Sequence, residues 1–220
     1  MSVWAVIAAA GRGERLGLDR PKAFANLRGR PLLAESLERL DASDWIDAIV
    51  VAAPPGWQEP VILLAEELGC GKVAEAVAGG ETRAASVLAA LEHVPEDAAV
   101  VLVHDAARPA LPEDVIDRLL TALNEGWDGA IPVLPIPDTV KRLDGDLVVE
   151  TVERDALVAA QTPQAFVAST LRAAAGGGET TDCATLVEAY GGRIKAVRGD
   201  PRLLKVTNAS DLERAEALLA

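Results

Sequence analysis

Residues 3–22 read VWAVIAAAGRGERLGLDRPK, and the change of character along this stretch decides the fold. Residues 3–10 form a short, unbroken apolar run, the pattern of a strand. The run ends in a loop carrying Gly11, Gly13 and Gly17, and two cations, Arg15 and Lys22, follow within a dozen residues. Glycines at a strand end let the backbone approach a phosphate closely and turn free N–H groups toward it. Arg15 and Lys22 can then neutralise a polyphosphate, which makes the loop a candidate triphosphate site. An ordinary strand-to-helix turn with surface cations is the plain alternative. What the rest of the chain brings to the same edge decides between them.

Outward from this loop, short Val- and Ile-rich runs alternate with helical patterns, the signature of βαβ units and a largely parallel sheet. Pro31 opens a helix with Leu33, Leu37 and Leu40 on one face, and residues 46–53 form the next strand. A helix carrying Val61, Leu64, Ala65 and Leu68 stops at Gly69; a weak strand at 73–77 ends at Gly79-Gly80; Thr82 caps the helix that buries Val87, Leu88 and Leu91. The strongly apolar strand 98–103 runs straight into His104-Asp105-Ala106-Ala107-Arg108-Pro109. A helix at 112–124 and a proline-cut strand at 130–134 follow.

The pattern then changes. Two extended segments, 139–143 and 147–152, flank Asp144-Gly145-Asp146, and an Asp-Gly pair is a good hairpin turn. No amphipathic helix separates them, so residues of about 137–155 are expected to project as a β-arm. An isolated hairpin cannot cover its own faces and needs another surface, and a homodimer through this arm is expected. Beyond Gln161-Thr162-Pro163-Gln164, helices are expected at 166–174 and 181–190, and short strands at 193–197 and 203–206. A last helix is capped by Ser210 and Glu213. One α/β domain spanning 1–220, with one arm, is the organisation expected.

Composition narrows the function. The net charge of −13 argues against a general nucleic-acid or anionic-membrane binder, whose footprint is basic. It leaves room for an anionic small substrate in a locally basic pocket. Cys70 and Cys183 are the only cysteines and lie far apart, and His93 and His104 are the only histidines, so neither a structural zinc site nor a disulfide framework is indicated. No apolar run reaches the roughly 18 residues of a membrane span, and a cytoplasmic location is the default expectation.

In a parallel α/β sheet the ligand crevice opens at the carboxyl ends of the strands. The glycine loop and the segment 104–109 both follow apolar strands directly, which brings Asp105 beside the phosphates of the first loop. A carboxylate there suits Mg²⁺, which takes one or two carboxylates plus phosphate oxygens and waters. The P-loop pattern is absent. The dinucleotide fingerprint is imperfect, because Leu16 stands where its third glycine belongs. Asp41, Asp44 and Asp47 could serve a ribose, so an NAD(P)-dependent reductase stays as the distant alternative. The four tryptophans are expected to pack or cover edges, and His104 to be a hydrogen-bonded structural residue.

The segments AAAGRGERLGLDRPK (8–22), GGETRAASV (79–87), VHDAARP (103–109), DTVKR (138–142), TVERDAL (151–157), QTPQAF (161–166), TTDCATLVE (180–188) and LKVTNASDL (204–212) resemble, in order and spacing, the 2-C-methyl-D-erythritol 4-phosphate cytidylyltransferases of the sugar-nucleotidyltransferase superfamily. The resemblance implies a Rossmann-like three-layer core with a β-arm that builds a homodimer. It also implies a reaction of CTP with methylerythritol phosphate that releases pyrophosphate. Carried onto matching positions, Ala9, Ala10, Gly11, Gly80, Glu81 and Ser86 would bind CTP. Arg15, Lys22 and Lys205 would be the catalytic cations, and Asp105 would hold Mg²⁺. Thr139 and Arg154 on the arm would reach the sugar phosphate in the neighbouring subunit, with Arg108 as a secondary contact. The family usually has Asp at Glu81 and an acidic residue at Cys183. A pentitol-phosphate cytidylyltransferase is the nearest alternative.

Overall fold

The computed structural model of the chain describes residues 1–13, 16–17, 19–175 and 182–219. In chain order the elements are β1 (Val3–Ala8), a 3-10 turn (Lys22–Phe24), the two-residue β2 (Asn26–Leu27) and β3 (Arg30–Pro31), α1 (Leu32–Ala42), β4 (Ala48–Ala53), α2 (Gln58–Leu68) and β5 (Val73–Ala78). Then come α3 (Arg83–Leu91), β6 (Val100–Asp105), α4 (Glu113–Asn124), β7 (Gly129–Pro135), the hairpin β8 (Val140–Asp144) and β9 (Leu147–Val152), and β10 (Val158–Ala160). β11 (Gln164–Val167), α5 (Ala168–Ala174), α6 (Cys183–Ala189), β12 (Ile194–Arg198) and α7 (Ala209–Leu218) complete it.

Strands β5, β4, β1 and β6 run parallel side by side. β11 then pairs antiparallel with both β6 and β7, and β12 lies parallel on the far side of β7. Alternation along each strand feeds two cores. Val3, Ala5 and Ile7 point to one face, where Leu33, Leu37 and Leu40 of α1, Val61 of α2 and Ile116 and Leu119 of α4 cover them. Val6, Val50, Val101 and Val103 point to the other, under Val87 of α3, Leu171 of α5 and Val187 of α6. Both faces are apolar, which is why the strands read as continuous runs rather than alternating ones. The result is the expected three-layer α/β architecture.

Several boundaries differ from the sequence reading. β6 continues through His104 and Asp105, because it is paired on both sides close to its end. Residues 164–167, expected to lead into a helix at 166, form β11, whose slot between β6 and β7 imposes an extended backbone. β10 has no counterpart in the sequence reading; three residues carry too little periodicity to register. At 203–206 no strand is found among the described residues: Val206 N–H donates to the Ala107 carbonyl (2.8 Å) without a ladder around it. The last helix is capped by Asn208, whose side chain accepts the Asp211 N–H while Asp211 reaches back, so the Ser210–Glu213 box is displaced by two residues. Gly69 does stop α2, in the left-handed conformation at φ 71°.

Among the described residues β8 and β9 pair only with each other, and every residue from 141 to 151 is exposed. Leu143, Leu147, Val148 and Val149 are each half or more exposed, an apolar strip unusual for a surface hairpin. Arg142 Nε to Glu150 Oε2 (2.6 Å) and Lys141 Nζ to Thr151 Oγ1 (2.6 Å) tie the two strands together.

Candidate active site

Ala8 and Asp105 are register partners at the carboxyl ends of β1 and β6, so the loops that follow them leave the sheet side by side. Ala9 N–H donates to the Ala52 carbonyl (2.9 Å), and Lys22 N–H donates to the Gly11 carbonyl (3.2 Å), folding the glycine loop back on itself. Gly13 sits at φ 72°, and a Cβ there would lie 2.8 Å from Lys22 Cβ. Only glycine tolerates both the conformation and the approach. Gly79 is required for a different reason: its Cβ would lie 2.4 Å from Ala10 Cβ and 2.9 Å from Ser86 Oγ, so its absence lets the start of α3 close against the first loop.

Between these walls opens a cleft of about 1060 Å³. Its lining includes Ala9, Ala10, Gly11, Lys22, Gly80, Glu81, Ser86, Asp105 and Lys205, nine of the positions singled out from the sequence. Thr82 caps α3 by accepting the Ala85 N–H (3.1 Å). The Ser86 hydroxyl faces the carbonyls of Thr82 (2.8 Å) and Gly80 (3.2 Å), so it shapes the loop.

The electrostatic centre is Asp105, only 5% exposed. Arg83 Nε lies 2.7 Å from its Oδ1, and Lys205 Nζ lies 2.8 Å from its Oδ2. Burial alone would push its pKa up, but the two cations outweigh burial and hold it well below the usual carboxylate range. The carboxylate is therefore ionised across the physiological range. Beneath it, His104 is fully buried and burial lowers its pKa to about 4. As a neutral ring its Nε2–H donates to the Arg108 carbonyl (3.1 Å), since a carbonyl can only accept, which leaves Nδ1 to face the Thr162 hydroxyl at 3.4 Å. That hydroxyl accepts the Asp105 N–H (3.0 Å), which ties the end of β6 to the 161–164 loop.

Other sequence candidates lie elsewhere. Arg108 turns away from the cleft lining and donates to the carbonyls of Leu203 and Ala160. Thr139 and Arg154 are exposed beside the hairpin, where Arg154 donates to the Pro137 carbonyl; neither lines the cleft of its own chain. Arg15 lies outside the described residues. Asp182 caps α6 by accepting the Thr185 N–H (2.9 Å), and Cys183 is buried with Sγ 3.9 Å from Arg83 Nη1. Asp41 and Asp47 accept the N–H groups of Lys72 and Val3 (2.7 Å each) at the opposite edge of the sheet, which removes them as ribose ligands.

Two cleft residues escape a reading of the sequence. Arg83 occupies the first position of α3, where the helix dipole disfavours a cation. That misplacement is a readable sign that something anionic offsets it. Trp57, expected to pack on an edge, lines the cleft.

The model of the 2-C-methyl-D-erythritol 4-phosphate cytidylyltransferase family matches residues 3–220. A cytidylyltransferase of that name from Frankia casuarinae is 46% identical over 99% of this chain and 81% of its own length. One from Saccharopolyspora erythraea is 44% identical over the whole of both chains. The crystal structure of the Thermus thermophilus enzyme of the same name superposes with a TM-score of 0.83 at 37% identity, covering 100% of this chain and 99% of that one. The fold, the glycine loop beside Asp105 and these matches lead to one conclusion: the chain belongs to the 2-C-methyl-D-erythritol 4-phosphate cytidylyltransferase family.

Proposed function

We propose that the cleft carries out the family's reaction with the following division of labour. CTP and 2-C-methyl-D-erythritol 4-phosphate give 4-diphosphocytidyl-2-C-methyl-D-erythritol and pyrophosphate. A phosphate oxygen of the sugar alcohol attacks the α-phosphorus of CTP, the bond from that phosphorus to the bridging oxygen breaks, and its electron pair leaves with pyrophosphate. The attacking oxygen is already ionised, so no general base is needed. Catalysis then consists of positioning and of stabilising the charge that grows on phosphoryl oxygens. The observation that carries this reading is Asp105 held between Arg83 and Lys205 in a cleft lined by the glycine loop and Lys22.

Lys22 and Arg15 hold the triphosphate. Lys205 sits where it can leave Asp105 for the α-phosphoryl group. Ala9, Ala10, Gly11, Gly80 and Glu81 surround the cytidine, with Ser86 keeping their loop in shape. The sheet order supports this polarity. Asp105 ends β6, the glycine loop follows β1, and Gly79-Gly80 follow β5, so a nucleotide laid across the strand ends runs from phosphate to base.

The donor set fits Mg²⁺. Asp105 is ionised, and among the described residues no group of three or more His, Cys, Asp or Glu could cage a metal. One carboxylate plus substrate phosphates is the ordinary Mg²⁺ arrangement, and the metal would neutralise the departing pyrophosphate. Asp105 would exchange Lys205 or Arg83 for it.

The exposed strip on β8–β9 supports a homodimer in which Thr139 and Arg154 of one subunit complete the sugar-phosphate site of the other. No helix among the described residues is long and apolar enough to cross a membrane, and the substrates are water-soluble, so the cytoplasm is the proposed compartment. Pyrophosphate release, measured with each nucleoside triphosphate and with and without Mg²⁺ and the methylerythritol phosphate, tests the assignment. A signal confined to CTP and needing both is expected. Faster turnover with ribitol 5-phosphate would overturn the choice of acceptor.

A further inference from the structure

Lys22 is carried on a single 3-10 turn of three residues with no side-chain cap. Such a turn has little stability of its own, so the place of Lys22 depends on what the turn packs against. Ala23 is buried beneath it. Phe24, the last residue of the turn, meets the indole of Trp57 with ring centroids 4.5 Å apart and planes tilted by 45°, a favourable aromatic geometry. Trp57 is itself firmly placed. Its N–H donates to the Pro54 carbonyl (2.9 Å), its carbonyl accepts the Val61 N–H (3.1 Å), and it forms the N-cap of α2. It is also the one aromatic side chain among the described residues lining the cleft, which Pro54-Pro55 and the glycine loop line as well.

We propose that Trp57 is a positioning residue of this cleft: its indole holds Phe24, and through Phe24 the turn that presents Lys22, while its cleft-lining surface meets the bound nucleotide. This rests on the function proposed above. The nucleotide end of the site is thereby coupled to the cation at the phosphate end through a ring pair.

The positions of the tryptophans make the proposal testable without turnover. Trp4 lies at the start of β1, Trp45 precedes β4 and donates its indole N–H to Asp117, and Trp127 precedes β7 beneath Arg193 and Lys195. All three sit at the amino-terminal ends of their strands and none lines the cleft; Trp57 follows β4 at its carboxyl end. Titrating the protein with CTP and Mg²⁺, with no acceptor present, should change tryptophan emission saturably in the wild type and in Trp4→Phe, Trp45→Phe and Trp127→Phe. Trp57→Phe should abolish the change.

In steady state, Trp57→Ala should lower kcat about tenfold or more, a modest case of the loss that follows misplacing a catalytic group. Trp57→Phe, which keeps a ring against Phe24, should recover most of it. If Trp57→Ala does not fold, Trp57→Leu is scored the same way. An emission change that persists in Trp57→Phe, or wild-type kcat in the variant lacking the ring, overturns the proposal. A wild-type protein that releases no pyrophosphate from CTP and methylerythritol phosphate overturns the assignment beneath it, and the two failures are thus told apart.

Discussion

Arg83→Met removes the cation 2.7 Å from Asp105 Oδ1 and leaves a carboxylate that is 5% exposed facing Lys205. Removing one partner of a buried ion pair costs about 3–5 kcal/mol, because the other charge stays buried and uncompensated. Two features of the site reduce that figure. Lys205 Nζ remains 2.8 Å away, and the Arg83 side chain keeps 21% of its surface in contact with water. A loss of about 2 kcal/mol is therefore expected, which for a urea m-value of about 2–3 kcal/mol/M lowers the unfolding midpoint by somewhat under 1 M. Urea unfolding followed by circular dichroism near neutral pH measures it. The cycle with Asp105→Asn isolates the pair: the double variant should be more stable than the sum of the single losses predicts, by at least about 1 kcal/mol. Because the folded pKa of Asp105 is depressed, its stabilising contribution is present above the ordinary carboxylate range and is lost as pH falls toward the folded value. The gap between wild type and Arg83→Met should accordingly narrow below about pH 4. A midpoint shift close to zero, or strict additivity in the cycle, would refute the view that Arg83 and Asp105 are electrostatically coupled.

Three further outcomes follow from the same geometry. Lys22→Ala should lower kcat by about a hundredfold or more, as losing a preorganised charge contact does; near-wild-type turnover would remove Lys22 from the mechanism. Leu147→Asp with Val149→Asp on the exposed strip should leave a folded monomer in sedimentation and lose most of the activity; an unchanged sedimentation coefficient would refute the proposed dimer through this strip. His104 is neutral in the fold with a pKa of about 4 against about 6.5 when unfolded, so its contribution is complete above pH 6.5 and is lost as pH falls toward 4. The loss is on the order of 3 kcal/mol, and His104→Gln should flatten the stability–pH curve in that window; an unchanged slope would show that other groups govern it.

The legible parts of the fold are those with local causes. β1, β4 and β6 announce themselves as apolar runs because both faces of the sheet are covered. Gly69 and Thr82 terminate and cap their helices through bonds within a few residues of themselves. β11 resists such reading because its backbone is set by β6 and β7, partners distant in sequence. The same distinction runs through the site. Lys22, Asp105, Gly11 and Gly80 can be picked out as residue types at strand ends, and the cleft includes all four. Arg83 cannot be paired with Asp105 in this way, nor Trp57 with Phe24, because each contact joins side chains held at the ends of different strands.

The α/β class, the order of the loops at the strand ends and the family are all legible along the chain, since they depend on periodicity, turn chemistry and motif spacing. Which charges neutralise Asp105, the turn of Arg108 toward carbonyl groups and the packing of Phe24 in the Lys22 turn on Trp57 emerge once the chain is folded. Those are contacts across the sheet edge, and their geometry is set by how strands pair and helices pack, which no local stretch of residues records.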